Sequence, residues 1–350
     1  MLTERKKKNI LDISRDQLLA WLDNQGIESY RADQILKWIY LRQSDTFEGM
    51  TDLSKQIRQL LSQHFTILRL DIVRIETSKD GSQKYLFRLK DNKHIESVLI
   101  PERDHYTLCI SSQVGCIQDC RFCLTAIGGF ERNLTAAEII AQVRDVKNLC
   151  DDANRLSNIV FMGMGEPLAN YKNLVSAIKV ITDSDAGLSF SNRKVTVSTA
   201  GLIPKLSALG DDTKVNLAIS LNATDNKTRN KLMPLNRKYP LELLLEACRN
   251  YPLAPGRRIT FEYILIKGIN DSEDDARRLA KLLRPIKAKI NLIPFNTHEG
   301  CEYERPEETV INRFQEILIH KNYTVIIRHS KGQDISAACG QLKARLGIGN

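Results

Sequence analysis

The sequence predicts an α/β protein: a partial (β/α) barrel with a small helical accessory domain at its N-terminus. Two observations lead to this prediction. Residues 1–65 show the helical spacing of apolar side chains. From about residue 105 onward, strand-like and helix-like segments alternate with a repeat of about 30 to 40 residues, which is typical of parallel strands joined by right-handed crossovers. Such a sheet closes most naturally into a full or partial barrel, with its chemistry at the carboxyl ends of the strands.

The first 65 residues contain three helical segments. Ser14 opens the first one, in which Leu18 and Leu22 lie on one side. Residues 31–41 and 53–65 repeat the helical spacing of apolar side chains. We therefore expect residues 1–65 to form the accessory domain.

Residues 66–104 have the pattern of a β-hairpin. A Lys-Asp-Gly-Ser turn at residues 79–82 separates segments in which apolar and polar side chains alternate. These strand-like segments are residues 70–76, 84–88 and 94–100. We expect this region to link the accessory domain to a catalytic domain that covers residues 105–350.

The catalytic domain is predicted from its alternating elements. The candidate strands are residues 107–111, 158–162, 194–198, 216–220, 260–265, 289–293 and 324–327. Helical runs lie between them, and one begins at a capping box formed by Thr135 and Glu138, with an apolar stripe behind it. Residues 241–248, 272–283 and 306–321 have similar helical patterns.

Composition restricts the class of protein. The chain has 350 residues, 42% hydrophobic and 27% charged, as in ordinary globular proteins. No apolar run approaches the roughly 18 residues that a membrane span needs. The charged N-terminus lacks the apolar segment of a secretory signal. We therefore expect a cytoplasmic protein that does not contact a membrane.

The positive charge of the chain is localised. The net charge is +9, with +3 in residues 51–100 and +6 in residues 201–300. A basic surface favours a polyanion such as nucleic acid, although a solvated surface with surplus lysine gives the same count. The eight cysteines are not expected to form a disulfide framework in a reducing compartment. Buried thiols, metal ligands and reactive thiols are the alternatives.

The most specific motif is a group of three cysteines, Cys116, Cys120 and Cys123, in a loop after a predicted strand. Structural zinc would need a fourth ligand, and neither Cys109 on the strand nor Cys150 beyond a helix lies near in sequence. A [4Fe–4S] cluster on three thiolates leaves one iron open to a chelating substrate. This spacing favours a cluster over zinc or coincidental buried cysteines, and it resembles that of the radical S-adenosylmethionine superfamily.

Polar residues follow several predicted strands. The next strand ends in a glycine-rich segment with Gly165 and Glu166, where backbone can approach a ligand and a carboxylate can accept from an ammonium group. Any one polar residue at a strand end could be a simple turn former. Because they occur at consecutive strand ends, we interpret them as ligands for the ribose and carboxylate of S-adenosylmethionine. They are Ser198, Ser220, Asn222 and Asn296.

The C-terminal region narrows the resemblance. Cys339 lies between small residues in a polar loop after the last strand. By itself it could be a buried structural thiol. Together with residues 109–116 and 128–134, however, it resembles the RlmN and Cfr family of RNA adenine methyltransferases over nearly the whole chain. The Glu166-Pro167 pair resembles the branch that methylates carbon 2. Residues 124–127, Leu-Thr-Ala-Ile, depart from the Ala-Thr-Gly of many members.

The resemblance implies radical chemistry with two molecules of S-adenosylmethionine per turnover. Carbon 2 of adenine is electron-poor, so it cannot attack a sulfonium methyl group as a nucleophile. In the family mechanism the first molecule methylates a thiol, here Cys339. The second is cleaved to a radical that activates this methyl group for addition to the base. Cys109 matches the thiol that releases the adduct through a transient disulfide. Glu96 matches the proposed proton acceptor, although it could be a solvated strand residue.

The resemblance also implies substrates and partners. Adenine 2503 of 23S rRNA is the expected target, with adenine 37 of some tRNAs as a second one. The target nucleotide must be single-stranded or flipped out. An electron donor such as flavodoxin or ferredoxin is expected, and the protein is expected to be a monomer. Two alternatives stay open: a Cfr-like carbon-8 methyltransferase and a non-catalytic iron–sulfur RNA-binding module.

Overall fold

The computed structural model describes residues 7–298 and 301–344. Its N-terminal region contains the helices α1 (Arg15–Asp23), α2 (Arg31–Tyr40) and α3 (Lys55–His64). The Ser14 hydroxyl caps α1 by accepting from the Gln17 N–H, and the Gln17 side chain accepts from the Ser14 N–H in return. The helical interpretation of these three segments is therefore confirmed.

The remaining architecture is a large mixed sheet with helices. The strands are β1 (Lys8–Asn9), β2 (Phe65–Thr66), β3 (Asp71–Thr77), β4 (Gln83–Arg88), β5 (His94–Pro101), β6 (Tyr106–Cys109), β7 (Gln113–Gly115), β8 (Phe130–Asn133), β9 (Leu156–Phe161), β10 (Val195–Thr199), β11 (Asn216–Ser220), β12 (Ile259–Leu265), β13 (Ala288–Pro294) and β14 (Val325–Ile327). Ten of these strands form one sheet in the order β14-β13-β12-β11-β10-β9-β6-β5-β4-β3. The sheet stays open, since β14 and β3 are its two edges.

The sheet has a parallel and an antiparallel part. From β6 through β9 to β14 every neighbouring pair is parallel. The strands β3, β4 and β5 add antiparallel strands beside β6. The hairpin-like region thus continues the sheet of the catalytic part, while the domain boundaries at residues 65 and 104 stay predictions. All seven candidate strands of the catalytic part are observed within two residues of their predicted ends.

Helices connect the parallel strands. They are α4 (Leu124–Ile127), α5 (Ala136–Leu149), α6 (Tyr171–Thr182), α7 (Leu206–Asp212), α8 (Asn226–Leu232), α9 (Leu241–Arg249), α10 (Glu273–Leu283) and α11 (Glu308–His320). Thr135 and Glu138 form the expected capping box at the start of α5. No helix in the described part of the chain is long and apolar enough to cross a membrane.

Helix α5 also holds the N-terminal region against the sheet. The Asp145 carboxylate accepts from the Leu70 N–H at 2.7 Å, and the Arg144 guanidinium donates to the carbonyl oxygens of Leu68 and Ser44. Arg144 is fully buried, and this burial lowers its pKa to about 10. A buried charge of this kind is tolerated because carbonyl oxygens and carboxylates surround it.

A buried glutamine of α5 fixes the backbone that leads into the cysteine loop. The Gln142 side-chain oxygen accepts from the Ser111 N–H and from the Ser97 hydroxyl, both at 2.8 Å. Its amide group donates to the carbonyl oxygens of Ser111 and Glu138. All four hydrogen-bonding positions of the Gln142 side chain are therefore used inside the protein. The side chain joins β5, the end of β6 and α5.

We predict that Gln142→Leu lowers the free energy of unfolding by about 2 to 4 kcal/mol. The apolar side chain leaves the Ser111 N–H and carbonyl without partners, and each buried unsatisfied group costs about 1 to 3 kcal/mol. Chemical denaturation of the variant beside Gln59→Leu, a change at an exposed glutamine of α3, measures the difference. Equal destabilisation by the two changes would contradict this role for Gln142.

Candidate active site at the carboxyl edge of the sheet

The cysteine loop lies between β7 and β8, which pair as an antiparallel hairpin at its base. Within the loop, the Cys116 N–H donates to the Gly129 carbonyl at 2.9 Å. The Arg121 N–H donates to the Leu232 carbonyl at 3.0 Å, which attaches the loop to α8. The sequence analysis places the cysteines in a loop after a strand, and this is confirmed. Neither β7 nor β8 is predicted from the sequence.

The three thiols lie in a partly buried, apolar setting. Cys120 and Cys123 pack against the cluster of Phe122, Leu232, Met233 and Phe295. Burial raises the pKa of Cys116 to about 12 and that of Cys120 well above its usual range, with further increases from the neighbouring thiols. Uncompensated thiolates are therefore unfavourable here, and a positively charged metal group would stabilise them.

The donor set of the cysteine loop consists of three thiols, a ligand type of zinc sites and of iron–sulfur clusters. Among the described residues no group of three or more His, Cys, Asp or Glu side chains could hold a metal ion. Thiols that bind different irons of a [4Fe–4S] cluster need not converge on one point. The three cysteines, their apolar surroundings and their mutual electrostatic influence are consistent with such a cluster.

The glycine-rich segment after β9 packs directly on the backbone that precedes the cysteines. Gly165 has a φ of +102°, and a Cβ built there would lie 2.5 Å from the Cβ of Gln113. A Cβ on Gly163 would lie 2.8 Å from the carbonyl carbon of Ile110. From the sequence, the glycines are expected to allow close approach of a ligand. The close approach observed is that of the chain itself.

Glu166 is buried at the end of this segment. Its carboxylate accepts from the Ala200 N–H at 2.8 Å and from the Leu168 N–H at 3.1 Å. Burial raises the pKa of the carboxyl group, while these backbone donors oppose the change. Glu166 thus joins the ends of β9 and β10 and lies close enough to Cys116 and Cys120 to influence their pKa values.

The polar residues of the strand ends have different surroundings. Ser198 and Ser220 lie on the same face of the sheet, because Ser198 pairs with Ala218, two residues before Ser220. The Asn222 side chain is already used inside the protein: its oxygen accepts from the Ile264 N–H at 2.9 Å and its amide contacts the Met233 sulfur.

Asn222 also adopts the left-handed backbone region, with a φ of +56°. A turn-forming role for this residue is therefore visible directly. Asn296 contacts the C-terminal segment, since its amide donates to the Cys339 carbonyl at 3.1 Å and its oxygen accepts from the Gln333 amide at 3.1 Å.

The C-terminal segment, residues 328–344, crosses the carboxyl edge of the sheet and contacts the cysteine loop. The Leu124 N–H donates to the Gly340 carbonyl at 2.8 Å, and the Thr125 hydroxyl donates to the Leu342 carbonyl at 2.7 Å. Earlier in the segment, the Asp334 carboxylate accepts from the Ser78 hydroxyl at 2.5 Å. The segment therefore connects the β14 edge to the antiparallel strands on the other side of the sheet.

Two predicted reactive thiols come together at this edge. Cys339 is accessible to solvent, whereas Cys109 is buried at the end of β6. Partial removal from water by the surrounding protein raises the pKa of both thiols, to about 11 for Cys339. The negative charge of a Cys339 thiolate raises the pKa of Cys109 further. The Cys123 charge in turn raises the pKa of Cys339. The structure thus brings Cys339 close to both Cys109 and the cysteine loop.

Glu96 is buried in β5 and is not the solvated strand residue of the alternative interpretation. One carboxylate oxygen accepts from the Lys343 N–H at 2.9 Å, and the other lies 3.6 Å from the Lys84 ammonium group. Glu96 therefore contacts the C-terminal segment that carries Cys339. Its face of the sheet is also that of Cys109, because Val98, two residues after Glu96, pairs with Cys109.

Two buried ionisable residues of the site were missed from the sequence. The Arg229 guanidinium of α8 donates to the carbonyl oxygens of Ala200, Ser220 and Leu221, and burial lowers its pKa to about 10. Glu262 of β12 pairs with Ser220 of β11. Among the neighbouring charges, that of Glu262 raises the pKa of Cys339 most. A glutamate inside an apolar strand was a signal that could have been used. Arg229 gave none.

Comparisons with known proteins show which family the chain resembles. The family model of the ribosomal RNA large subunit methyltransferase N-terminal domain matches residues 8–67, and that of the radical SAM superfamily matches residues 110–280. The dual-specificity RNA methyltransferase RlmN of Desulfosudis oleivorans is 57% identical over 96% of this chain and 91% of its own length. The chain belongs to the RlmN family. Its members are methyltransferases that use S-adenosylmethionine and a [4Fe–4S] cluster.

Further relatives agree with this family membership. The RlmN protein of Geobacter sulfurreducens is 53% identical over 97% of this chain and 92% of its own length. A radical SAM methyltransferase from Sphaerobacter thermophilus has the same fold, with a TM-score of 0.91, 42% identity and coverage of 97% of this chain and all of that one. The predicted fold class, family and cofactors are therefore confirmed.

We predict that Glu262 makes stability depend on pH. Burial raises its pKa to about 7, and the Asn291 amide donates to its carboxylate at 2.9 Å. Between the unfolded pKa of about 4.3 and the folded value, the folded protein keeps a proton that the unfolded chain releases. The free energy of unfolding therefore falls as the pH rises through this window.

Glu262→Gln removes the ionisation and keeps the acceptor for Asn291. We expect the variant to lose this part of the pH dependence and to be more stable than the parent above pH 7, by up to about 3 kcal/mol. Denaturation of the anaerobic protein at several pH values between 4 and 8 measures this, with the exposed Glu246→Gln as the control. Identical pH profiles for Glu262→Gln and the parent protein would exclude the effect.

Proposed function

We propose that this protein methylates carbon 2 of adenine in RNA, with adenine 2503 of 23S rRNA as the main target and adenine 37 of tRNAs as a second one. The observation that supports this function most directly is the pair of hydrogen bonds from Leu124 and Thr125 to the carbonyl oxygens of Gly340 and Leu342, which hold the segment with Cys339 beside the cysteine loop. The charge of Cys339 also influences the pKa of Cys109. Adenine carbon 2 requires a carbon donor held by the protein, and these residues are suited to provide one. The relatives named above are dual-specificity RNA methyltransferases.

Cys116, Cys120 and Cys123 are the proposed ligands of the [4Fe–4S] cluster. When bound, the cluster supplies the electron that cleaves S-adenosylmethionine. The apolar packing of Phe122 beside these cysteines excludes water from one side of the loop. The hairpin of β7 and β8 fixes the two ends of the loop.

Cys339 is the proposed methyl acceptor and Cys109 the proposed resolving thiol. The accessible position of Cys339 allows it to reach both S-adenosylmethionine and an RNA base. After the methylene carbon has bonded to the base, the Cys109 sulfur attacks the Cys339 sulfur. The Cys339 sulfur–carbon bond then breaks with its electron pair on the carbon, which takes up a proton to become the methyl group, and a disulfide forms. The unpaired electron of the adduct would pass to the bound cluster, and an external thiol would reduce the disulfide before the next turnover. Glu96 is the proposed acceptor of the carbon-2 proton, and its contact with the Lys343 N–H links it to the segment that carries Cys339.

The proposed S-adenosylmethionine contacts fall into two groups. Gly165, Ser198 and Ser220 lie at the carboxyl ends of neighbouring parallel strands beside the cysteine loop, so their backbone or side chains can bind the cofactor directly. The Glu166 carboxylate already accepts from the N–H groups of Ala200 and Leu168, and we propose that its remaining lone pairs accept from the amino group of the cofactor. Asn222 and Asn296 have side chains that already bond to protein groups. We propose that Asn222 contributes through the backbone of its turn, and that Asn296 exchanges its contact with the Cys339 carbonyl for one with the cofactor.

Two further parts of the proposal concern partners. We propose that a low-potential carrier such as flavodoxin or ferredoxin donates electrons at the exposed face of the cysteine loop. Ile117 and Ile127 expose apolar side chains there and offer a contact surface. We also propose that the protein acts as a monomer.

Mapping of the modified carbon tests the function. Mass spectrometry of 23S rRNA and tRNA from a strain without this gene should show the loss of 2-methyladenine, and restoring the gene should return it. Methylation at carbon 8 would support the Cfr-like alternative. A third outcome would support the non-catalytic module: loss of the gene leaves the methylation of both RNAs unchanged, and a Cys339→Ala gene still performs the cellular role.

We predict that variants of the two thiols fail at different stages. Cys339→Ala has no acceptor, so neither methylcysteine nor a covalent RNA complex should form. Cys109→Ala can still be methylated and can still bond to the base, but it cannot release the adduct. It should therefore accumulate a protein–RNA crosslink that nuclease collapses on a denaturing gel.

The half-buried Cys150, at the end of α5, offers a matched control. Cys150→Ala should turn over normally, because its thiol lies outside the site. Normal turnover by Cys109→Ala, or trapped RNA on Cys339→Ala, would show that the two roles are wrongly assigned even if the reaction is correct.

A further inference from the structure

A basic cleft lies at the amino ends of the parallel strands, opposite to the carboxyl ends where the reactive cysteines lie. It has a volume of about 470 Å³ and is formed by residues that precede or begin β12, β13 and β14. Its lining contains no acidic residue and five cationic ones, namely Arg257, Arg258, Arg284, Lys287 and Lys321. Arg257 and Arg258 also line an adjoining small pocket with Lys214.

The cations follow the order of the strands. Arg193 precedes β10, Lys214 precedes β11, Arg258 precedes β12, Lys287 precedes β13 and Lys321 lies before β14. Since these five strands are neighbours in the sheet, and adjacent strands are about 4.8 Å apart, the amino ends carry a row of positive charge about 19 Å long. A row of this length matches a polymer with repeated negative charges rather than one small anion.

The cations of this row form no ion pair with a carboxylate in residues 7–298 and 301–344. Among the described residues, none of these cations has a carboxylate oxygen within 4.0 Å, although Arg277 of the nearby α10 contacts both Glu273 and Asp274. The Arg257 guanidinium donates instead to backbone carbonyls, including that of Asn192 at 3.3 Å. Burial and the neighbouring Arg193 lower the pKa of Arg257, as expected where like charges are held together.

Helix ends explain only part of this charge. Arg284 and Lys321 directly follow α10 and α11, where a cation offsets the negative end of the helix dipole. Arg258 and Lys287 lie in loops that precede strands, so this explanation does not apply to them. The convergence of both pairs on one cleft therefore needs a separate reason.

We propose that this cleft binds backbone phosphates of the RNA substrate, remote from the target adenine. The proposal rests on RNA as the substrate and extends it to a second contact. The seven residues of β12 separate the cleft from the carboxyl edge by about 20 Å at roughly 3.3 Å per residue. A folded RNA can span both edges. An acidic electron carrier is not favoured, because it has to approach the cysteine loop at the other edge.

The experiment compares two double variants. Lys287→Gln with Lys321→Gln removes two exposed charges of the cleft, and Lys172→Gln with Lys179→Gln removes two exposed charges from α6. Binding is measured against salt concentration with a complete tRNA and with a short hairpin that contains only the target loop. Circular dichroism and melting confirm that both variants are folded.

We expect the cleft variant to bind the complete tRNA more weakly, with a log–log salt slope smaller by about 1 to 2, because each phosphate contact by lysine contributes about one unit. Its affinity for the hairpin and its rate of hairpin methylation should match those of the parent and of the α6 variant. Failure of the parent to methylate either RNA would instead count against the proposed function.

Unchanged tRNA affinity and salt slope in the cleft variant would overturn the proposal. An equal loss in the α6 variant would also overturn it, because the effect would then be one of net charge. Normal tRNA binding combined with impaired reduction by flavodoxin would assign the cleft to an acidic protein partner instead.

Discussion

The site depends on how three residues, Ser111, Ser112 and Gln113, are fixed between β6 and the cysteine loop. The Ser111 hydroxyl accepts from the Met164 N–H at 2.9 Å and donates to the Glu96 carbonyl at 2.6 Å, while Gln142 bonds to its backbone. Gln113 then bonds to the Glu166 N–H and to the Ile117 N–H through one side-chain oxygen. The same short segment thus sets the position of the first cysteine relative to the end of β9. Glycine is required at residues 163 and 165 because these two segments lie in direct contact.

The site also depends on the C-terminal segment, which contacts elements that lie far apart in the sheet. It leaves β14, reaches the turn after β3 through Asp334 and then contacts the cysteine loop at Leu124. Hydrogen bonds to the carbonyl oxygens of Cys339, Gly340 and Leu342 hold this part of the backbone beside the loop, although the Cys339 side chain stays accessible. A thiol that must meet both a cofactor and an RNA base needs this combination of a fixed backbone and an exposed sulfur.

Charge is divided between the two edges of the parallel sheet. The carboxyl edge holds buried ionisable groups such as Glu166, Arg229 and Glu262, whose pKa values are shifted by burial. The amino edge holds exposed cations without carboxylate partners among the described residues. The excess of positive charge in residues 201–300 is therefore not spread over the surface, and part of it lies on the side of the sheet away from the reactive thiols.

The sequence by itself determined the ten strands of the large sheet, most helices, the cysteine loop and the family, because periodicity, capping and cysteine spacing are local properties of the chain. It also singled out Cys339 and Cys109 through their similarity to family motifs. Only the tertiary structure decided that Asn222 bonds to Ile264, that Glu262 lies near Cys339 and that β8 closes the cysteine loop. These contacts join residues on different strands and helices. The identity of a residue indicates which bonds it can make, whereas the packing of the sheet determines which partner it meets.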